Sequence, residues 1–288
     1  MSERTGRNVA YWLPVIVLLL AFALRVYKLG DQNVWWDEGF SVWVARHDLG
    51  ALTTIAAGDT HPPLYYWLLH PWMFVTGPSE FAIRFPSLMF GVIAVALVYR
   101  LGRRLGGRSP ILVATLAALL LATSRFHIWW SQEIRMYSLA AMWAVASALA
   151  LMDFGSRQLD NPQSAIRNPK SAIPYTLTVA GGMYSLYLFA FVVAAEAVWV
   201  AWMAWVWRRT EHWKRLLIGW SGAVVAVALA MLPWLAYTLP RMKSWSAASQ
   251  FSPVTYLQLY WTVLTLGITT FADYRALRTP NPDVLCNR

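Results

Sequence analysis

Long apolar runs, separated by short clusters of charge, organise most of this chain. A run of about 20 apolar residues is the length of one membrane crossing. Such runs fall near residues 9–26, 84–101, 110–124, 137–153, 213–236 and 254–272. A longer apolar stretch, Ile173 to Arg208, reads as two short crossings turning near Gly181 and Gly182, with one overlong tilted helix as the alternative. Eight crossings result, and the pattern predicts an all-α, polytopic transmembrane helix bundle. Ala21-Phe22-Ala23 would suit a signal peptidase, but the apolar run continues through Leu24, so the first run is read as a span.

Composition sharpens this reading. Hydrophobic residues make up 58% of the 288 positions and charged ones 13%, against about 25% charged in soluble domains. Mean hydropathy is +0.43 and there are 18 tryptophans, rings that suit membrane interfaces. An ordinary soluble enzyme is excluded. The single cysteine excludes an intrachain disulfide and a Cys-based zinc site. The net charge of +10 has to be read by position. Arg100, Arg103, Arg104 and Arg108 form one basic loop, and Arg208, Arg209, Lys214 and Arg215 another. The positive-inside rule places both in the cytoplasm, with the N-terminus inside. No nucleic-acid partner is expected.

The membrane domain is read as residues 1–272, with a polar cytoplasmic loop at 154–173 and an atypical tail at 273–288. The loop holds a tandem repeat, Asn161-Pro-Gln-Ser-Ala-Ile-Arg followed by Asn168-Pro-Lys-Ser-Ala-Ile-Pro, too polar to bury a core. Residues 27–83 form one long extracytoplasmic loop carrying six of the fourteen acidic residues. Phe40, Trp43, Val44, Leu52 and Ile55 have the spacing of an interfacial amphipathic helix, and a second such helix is expected from Pro63 through Trp72.

Candidate chemistry concentrates in the outer loops. Asp37 and Glu38 follow Trp35 and Trp36, and adjacent carboxylates beside aromatic rings are a way to tune a general base. The plainer reading is a solvated acidic pair at the start of a helix near Gly39. The next outer loop carries Glu133, Arg135 and Tyr137. An arginine at the lip of a span can grip a phosphate whose lipid stays in the bilayer; the alternative is an interfacial arginine that snorkels or pairs with Glu133. His61, before Pro62 and Pro63, is either a metal or anion ligand or a turn residue. Glu196 lies inside a span with no obvious partner, weak grounds for a transport pathway. Asp-x-Asp, Gly-x-Gly-x-x-Gly, Walker and His-Glu-x-x-His motifs are absent. An enzyme working outside the cytoplasm must then use an activated substrate that carries its own anchor.

Together, Trp35-Trp36-Asp37-Glu38-Gly39, His61-Pro-Pro-Leu-Tyr-Tyr, Arg84-Phe-Pro-Ser and Ser131-Gln-Glu-Ile-Arg-Met-Tyr resemble GT-C glycosyltransferases, in the branch of protein O-mannosyltransferases, the lipid A aminoarabinose transferase and their bacterial relatives. The resemblance covers roughly residues 9–240. It implies a protein of the bacterial plasma membrane with its active site outside the cytoplasm. It implies an inverting sugar transfer from a polyprenyl-phosphate donor to a lipid, glycan or protein hydroxyl. Asp37 takes the place of the catalytic base, Glu38 that of its acidic neighbour, and Arg135 falls near the donor phosphate. Glu133, Tyr137 and His61 are carried as further substrate-binding residues, and a divalent metal is a possible cofactor. The competing class is a membrane transporter or lipid-binding scaffold, which needs polar residues converging mid-bilayer. Members of the family usually continue through more spans, and the last residues, including Pro280-Asn-Pro-Asp-Val-Leu-Cys-Asn, resemble a segment of tRNA 2-thiouridylases. The chain is therefore expected to be an incomplete transferase, with no role for Cys286.

Overall fold

The computed structural model describes residues 2–160, 172–210, 212–242 and 261. Among them the regular elements are helices: α1 (Ser2–Val26), α2 (Trp36–Ala45), α3 (Leu49–Gly58), α4 (Leu64–Thr76), α5 (Glu80–Leu105), α6 (Pro110–Thr123), α7 (Arg125–Ser131), α8 (Tyr137–Asp160), α9 (Ile173–Ser185), α10 (Ala190–Val206) and α11 (His212–Thr238). Four stretches are long and apolar enough to cross a membrane: three within α5, α8 and α11, and Tyr187–Val206, which is α10 with the short turn before it. The pair α6 and α7, bent by 62°, makes a fifth candidate, and Trp12–Val26 of α1 is a shorter apolar helix. The all-α membrane bundle is as expected. All of the predicted crossing at 254–272 except residue 261, most of the tandem repeat and the tail at 273–288 lie outside the described residues.

The bundle has two distinct ends. Arg104 and Arg100 meet Asp153 where α5 and α8 finish. At about 1.5 Å per residue, the 26 residues of α5 carry the chain about 39 Å to the opposite end. There the short helices α2, α3 and α4 cover the bundle. Thr238 at the end of α11 donates to the Ala57 carbonyl of α3 (2.7 Å), and Trp67 of α4 packs on Tyr184 of α9. Leu19, Leu112, Leu116, Leu120, Val198, Trp202, Ile218 and Leu229 stand exposed on the outer helices, faces that lipid would cover.

Three expectations are corrected. The amphipathic run expected from Phe40 through Ile55 is two helices, because Asp48 accepts from the Gly50 and Ala51 amides and starts α3 afresh. The α9–α10 connection turns at Leu186, whose extended backbone ends α9, and not at the glycines. Gly181 and Gly182 instead lie inside α9, where an added Cβ would run into the Trp143 and Phe189 rings. Glu196 does have partners: Ser147 of α8 and Tyr175 of α9 each donate to it at 2.7 Å, and Trp220 of α11 donates to the Tyr175 hydroxyl at 2.9 Å. A buried carboxyl whose two oxygens are both satisfied ties four helices together.

Two further contacts hold the helices at opposite ends of the bundle. The buried Arg25 side chain of α1 donates to the carbonyls of Ala21, Ala122 and Leu121, to Ser131 and to His127. It thereby fixes the bend between α6 and α7. At the other end of α5, a Cβ on Gly102 would lie 2.6 Å from Ala114 Cα, so the α5 and α6 backbones are in close contact there.

Candidate active site

Helix α2 begins at Trp36, so Asp37 and Glu38 sit in its first turn, where the helix dipole favours anions. Successive helical residues point about 100° apart, and the two carboxylates have different fates. Glu38 turns inward and has no exposed surface. Arg84 of α5 grips it through Nε (3.0 Å) and Nη2 (2.7 Å), and the Ile134 amide donates to the same carboxylate at 2.9 Å. The remaining Arg84 donors reach the carbonyls of Leu29, Gln32 and Asn33. Glu38 is thus not part of a solvated pair: it pins α2, the turn after α1 and the 132–136 loop onto α5. A bidentate, dehydrated pair of this kind fixes geometry more than it adds stability.

Asp37 stays half-buried, and no hydrogen bond to its carboxylate is found among the described residues. Its backbone carbonyl accepts from Arg135 Nη1 at 3.4 Å, which places the Arg135 guanidinium against the first turn of α2. Arg135 is 5% exposed. It also touches Ser41 Oγ (3.5 Å), the Tyr137 ring and His61 Nε2 (3.4 Å). Arg135 does not pair with Glu133, the alternative that spacing left open. Burial pushes its guanidinium down, but Tyr66, Tyr137 and Asp37 around it outweigh burial and hold it above its ordinary value. Its Nε is buried with no hydrogen-bond partner among the described residues.

His61 serves as more than a turn residue. Its Nδ1 lies 3.2 Å from Asp59 Oδ2, and Tyr66 donates to the same oxygen at 3.1 Å. A carboxylate accepting from Nδ1–H leaves Nε2 as the acceptor that faces Arg135. Burial raises the Asp59 carboxyl, but the contacts with His61 and Tyr66 prevail and hold it below the ordinary carboxylate range. Asp59, which the sequence reading did not single out, joins this cluster through His61 and Tyr66. Its two-residue spacing from His61 was the available signal.

Glu133 accepts from the Trp35 indole N–H and is 5% exposed. Burial, with the Glu38 charge nearby, pushes its carboxyl up to about 7 despite Trp35, Arg84 and Arg135. Residues Val34, Trp35, Trp36, Gly39, Phe40 and Trp43 line a cavity of about 560 Å³ along α2. Tyr137 completes the group, its ring in contact with both the Arg135 guanidinium and the Trp130 ring. Among the described residues no three His, Cys, Asp or Glu side chains converge as a metal centre would need. The predicted residues Asp37, His61, Arg135 and Tyr137 therefore meet at one end of the bundle, with Glu38 and Glu133 packed behind them.

A sequence profile described as dolichyl-phosphate-mannose-protein mannosyltransferase matches residues 60–237, more than half of the chain. The chain belongs to this family. It is thereby a glycosyltransferase-family membrane protein of the GT-C type. The match contains His61, Glu133, Arg135 and Tyr137, while Asp37 and Glu38 precede it. An uncharacterized protein of Aquifex aeolicus (strain VF5) is 28% identical over 124 residues, covering 39% of this chain and 25% of that protein. The fold is similar to a chain of the S. cerevisiae protein O-mannosyltransferase Pmt1-Pmt2 complex bound to the sugar donor. The TM-score is 0.63 at 16% identity, over 85% of this chain and 36% of that one. At that identity the likeness is one of fold. This chain spans about a quarter of the curated relative and about a third of the solved one.

Proposed function

We propose that this protein transfers a sugar from a polyprenyl-phosphate carrier to a hydroxyl acceptor at the Asp37 end of the bundle. That end would lie outside the cytoplasm, in a bacterial plasma membrane, because the basic clusters around Arg104 and Arg209 lie at the other end and favour the cytoplasm. The acceptor hydroxyl gives its proton to the Asp37 carboxylate as its oxygen bonds to the anomeric carbon. The bond from that carbon to the phosphate oxygen breaks with inversion, and the negative charge left on the phosphate falls to Arg135. His61, oriented by Asp59, keeps Arg135 in place. A divalent metal would neutralise phosphate charge, but among the described residues no three His, Cys, Asp or Glu side chains converge to hold one.

One observation carries this reading: the Asp37 carboxylate, with no hydrogen bond among the described residues, acts on a nearby buried arginine whose Nε has no hydrogen-bond partner there either. The donor phosphate is the kind of anion that would use that N–H. The transporter reading loses its main support, since both Glu196 oxygens are already taken. The test is transfer from radiolabelled polyprenyl-phosphate sugar by the purified protein. Asp37→Asn should lower turnover about 100- to 10,000-fold, the range for a general base, with donor binding kept. Equal turnover by Asp37→Asn and the parent would remove Asp37 from the role.

A further inference from the structure

The Arg84-Phe-Pro-Ser motif near the start of α5 does more than supply the partner of Glu38. Pro86 has no N–H to give the Ala82 carbonyl one turn back, and that carbonyl accepts instead from Trp72 Nε1 of α4 at 2.7 Å. The Trp72 ring stacks on Phe85, with centroids 5.9 Å apart and an interplanar angle of 6°. Ser87, the last residue of the motif, is fully buried and departs from the habit of the other helical hydroxyls. Ser41, Thr115, Thr123, Ser131 and Ser185 each donate to the carbonyl four residues back in their own helix, a bond that a serine or threonine finds without help. Ser87 Oγ donates out of its helix, to the Arg135 carbonyl at 3.3 Å.

The group that accompanies this departure is Tyr65 of α4, whose hydroxyl lies 2.9 Å from Ser87 Oγ. Ser87 has one proton and gives it to the carbonyl, so the phenol donates and the serine oxygen accepts. A directed chain therefore runs from Tyr65 of α4 through Ser87 of α5 to the backbone of Arg135. The 132–136 segment is bends and a turn, with no helical ladder to hold it. Side chains hold it instead. Gln132 Nε2 donates to the Arg25 and Tyr27 carbonyls, Glu38 accepts from the Ile134 amide, and Ser87 takes the Arg135 carbonyl. The guanidinium end is held more loosely, since its contacts with the Asp37 carbonyl, Ser41 and His61 measure 3.4 to 3.5 Å, longer than ordinary hydrogen bonds. A shift of the Arg135 backbone would carry the guanidinium with it.

We infer that Ser87, oriented by Tyr65, is a positioning residue for sugar transfer: it fixes the backbone of Arg135 and thereby the place where the donor phosphate is gripped. The inference rests on the glycosyl-transfer reading above. It joins two sequence motifs, His61-Pro-Pro-Leu-Tyr-Tyr and Arg84-Phe-Pro-Ser, in one task.

The test uses the purified full chain in detergent, with radiolabelled polyprenyl-phosphate sugar as the probe for equilibrium binding and for turnover. Ser87→Ala should raise the donor Kd and KM about tenfold, the size of one charge-assisted hydrogen bond, and leave kcat within about threefold of the parent. Tyr65→Phe keeps the ring and should raise Kd about threefold, with no further effect once Ser87 is alanine. Arg135→Gln should itself weaken donor binding, and Ser87→Ala should add nothing in that background, because the serine acts only through the arginine. Trp72→Phe removes a hydrogen bond between the same two helices without touching the loop, so it should lower stability in an SDS titration and keep the parent's Kd. If Ser87→Ala does not fold, Tyr65→Phe decides alone.

A parent-like Kd in Ser87→Ala overturns the inference. So does a Ser87→Ala effect that multiplies with Arg135→Gln, or a Trp72→Phe variant that loses donor binding as Ser87→Ala does, since either would reduce the contact to general packing of α4 on α5. A parent that transfers sugar while Ser87→Ala matches it removes the positioning role and leaves the transferase reading intact. A parent that neither binds nor transfers overturns that reading and the inference with it.

Discussion

Replacing Arg84 by methionine isolates the contact on which the site's geometry depends. Arg84 is 2% exposed and Glu38 fully buried. In Arg84→Met the Glu38 carboxylate loses two charge-assisted bonds, of 3.0 and 2.7 Å, and keeps only the Ile134 amide. Breaking a buried pair in this way costs about 3–5 kcal/mol, because the remaining charge is left dehydrated and uncompensated. At about 1.4 kcal/mol per decade, the folding equilibrium should fall by two to four orders of magnitude. SDS titration of the purified protein, followed by far-UV circular dichroism, gives the free energy. The double variant Glu38→Met/Arg84→Met removes both charges and leaves apolar side chains in the gap. It should be less destabilised than Arg84→Met alone, with a coupling energy of at least about 2 kcal/mol. An Arg84→Met cost below about 1 kcal/mol, or a double variant that is simply additive, would mean that water reaches the pair and that it does not hold α2 against α5.

Three further outcomes follow from other contacts. Because the Glu133 carboxyl is held near 7 in the folded protein, against an unperturbed 4.5, the folded state keeps a proton that the unfolded chain has already lost between those values. Stability should then fall by about 2–3 kcal/mol as pH rises from 4.5 to 7, and a Glu133→Gln variant whose stability kept the same pH slope would count against this assignment. Asp59→Asn should free His61 to turn away from Arg135 and raise the donor KM about tenfold, the size of one charge-assisted hydrogen bond, with little change in kcat. An effect confined to kcat would instead place Asp59 in the chemistry. Gly102→Ala would bring a methyl group to 2.6 Å from the Ala114 backbone and force α5 and α6 apart. The expected loss is about 1–3 kcal/mol, measured by the same SDS titration, and a neutral result would show that the two helices can slide.

What the sequence settled by itself was local. The length of each apolar run is an amount of hydrocarbon to be covered, and that quantity needs no knowledge of neighbours, so the helices of the bundle could be placed from it. Basic loops mark ends for a similarly local reason, and Arg104 and Asp153 do lie away from the Asp37 end. Short aromatic and acidic motifs likewise marked Asp37, His61, Arg135 and Tyr137 as one neighbourhood.

Tertiary structure decided which charge meets which. Asp37 and Glu38 are equivalent in sequence, yet the turn of α2 sends one to Arg84, 46 positions away, and leaves the other's carboxylate without a hydrogen bond among the described residues. Arg135 has Glu133 two residues off and meets His61 instead, across 74 positions. Arg25, an ordinary end-of-span arginine by its position, is buried and sets the His127 tautomer across 102 positions. A dehydrated ion or donor is satisfied by whatever the packing of distant helices brings within 3 Å or so. Its partner is therefore a property of the assembled bundle, not of the residues beside it in the chain.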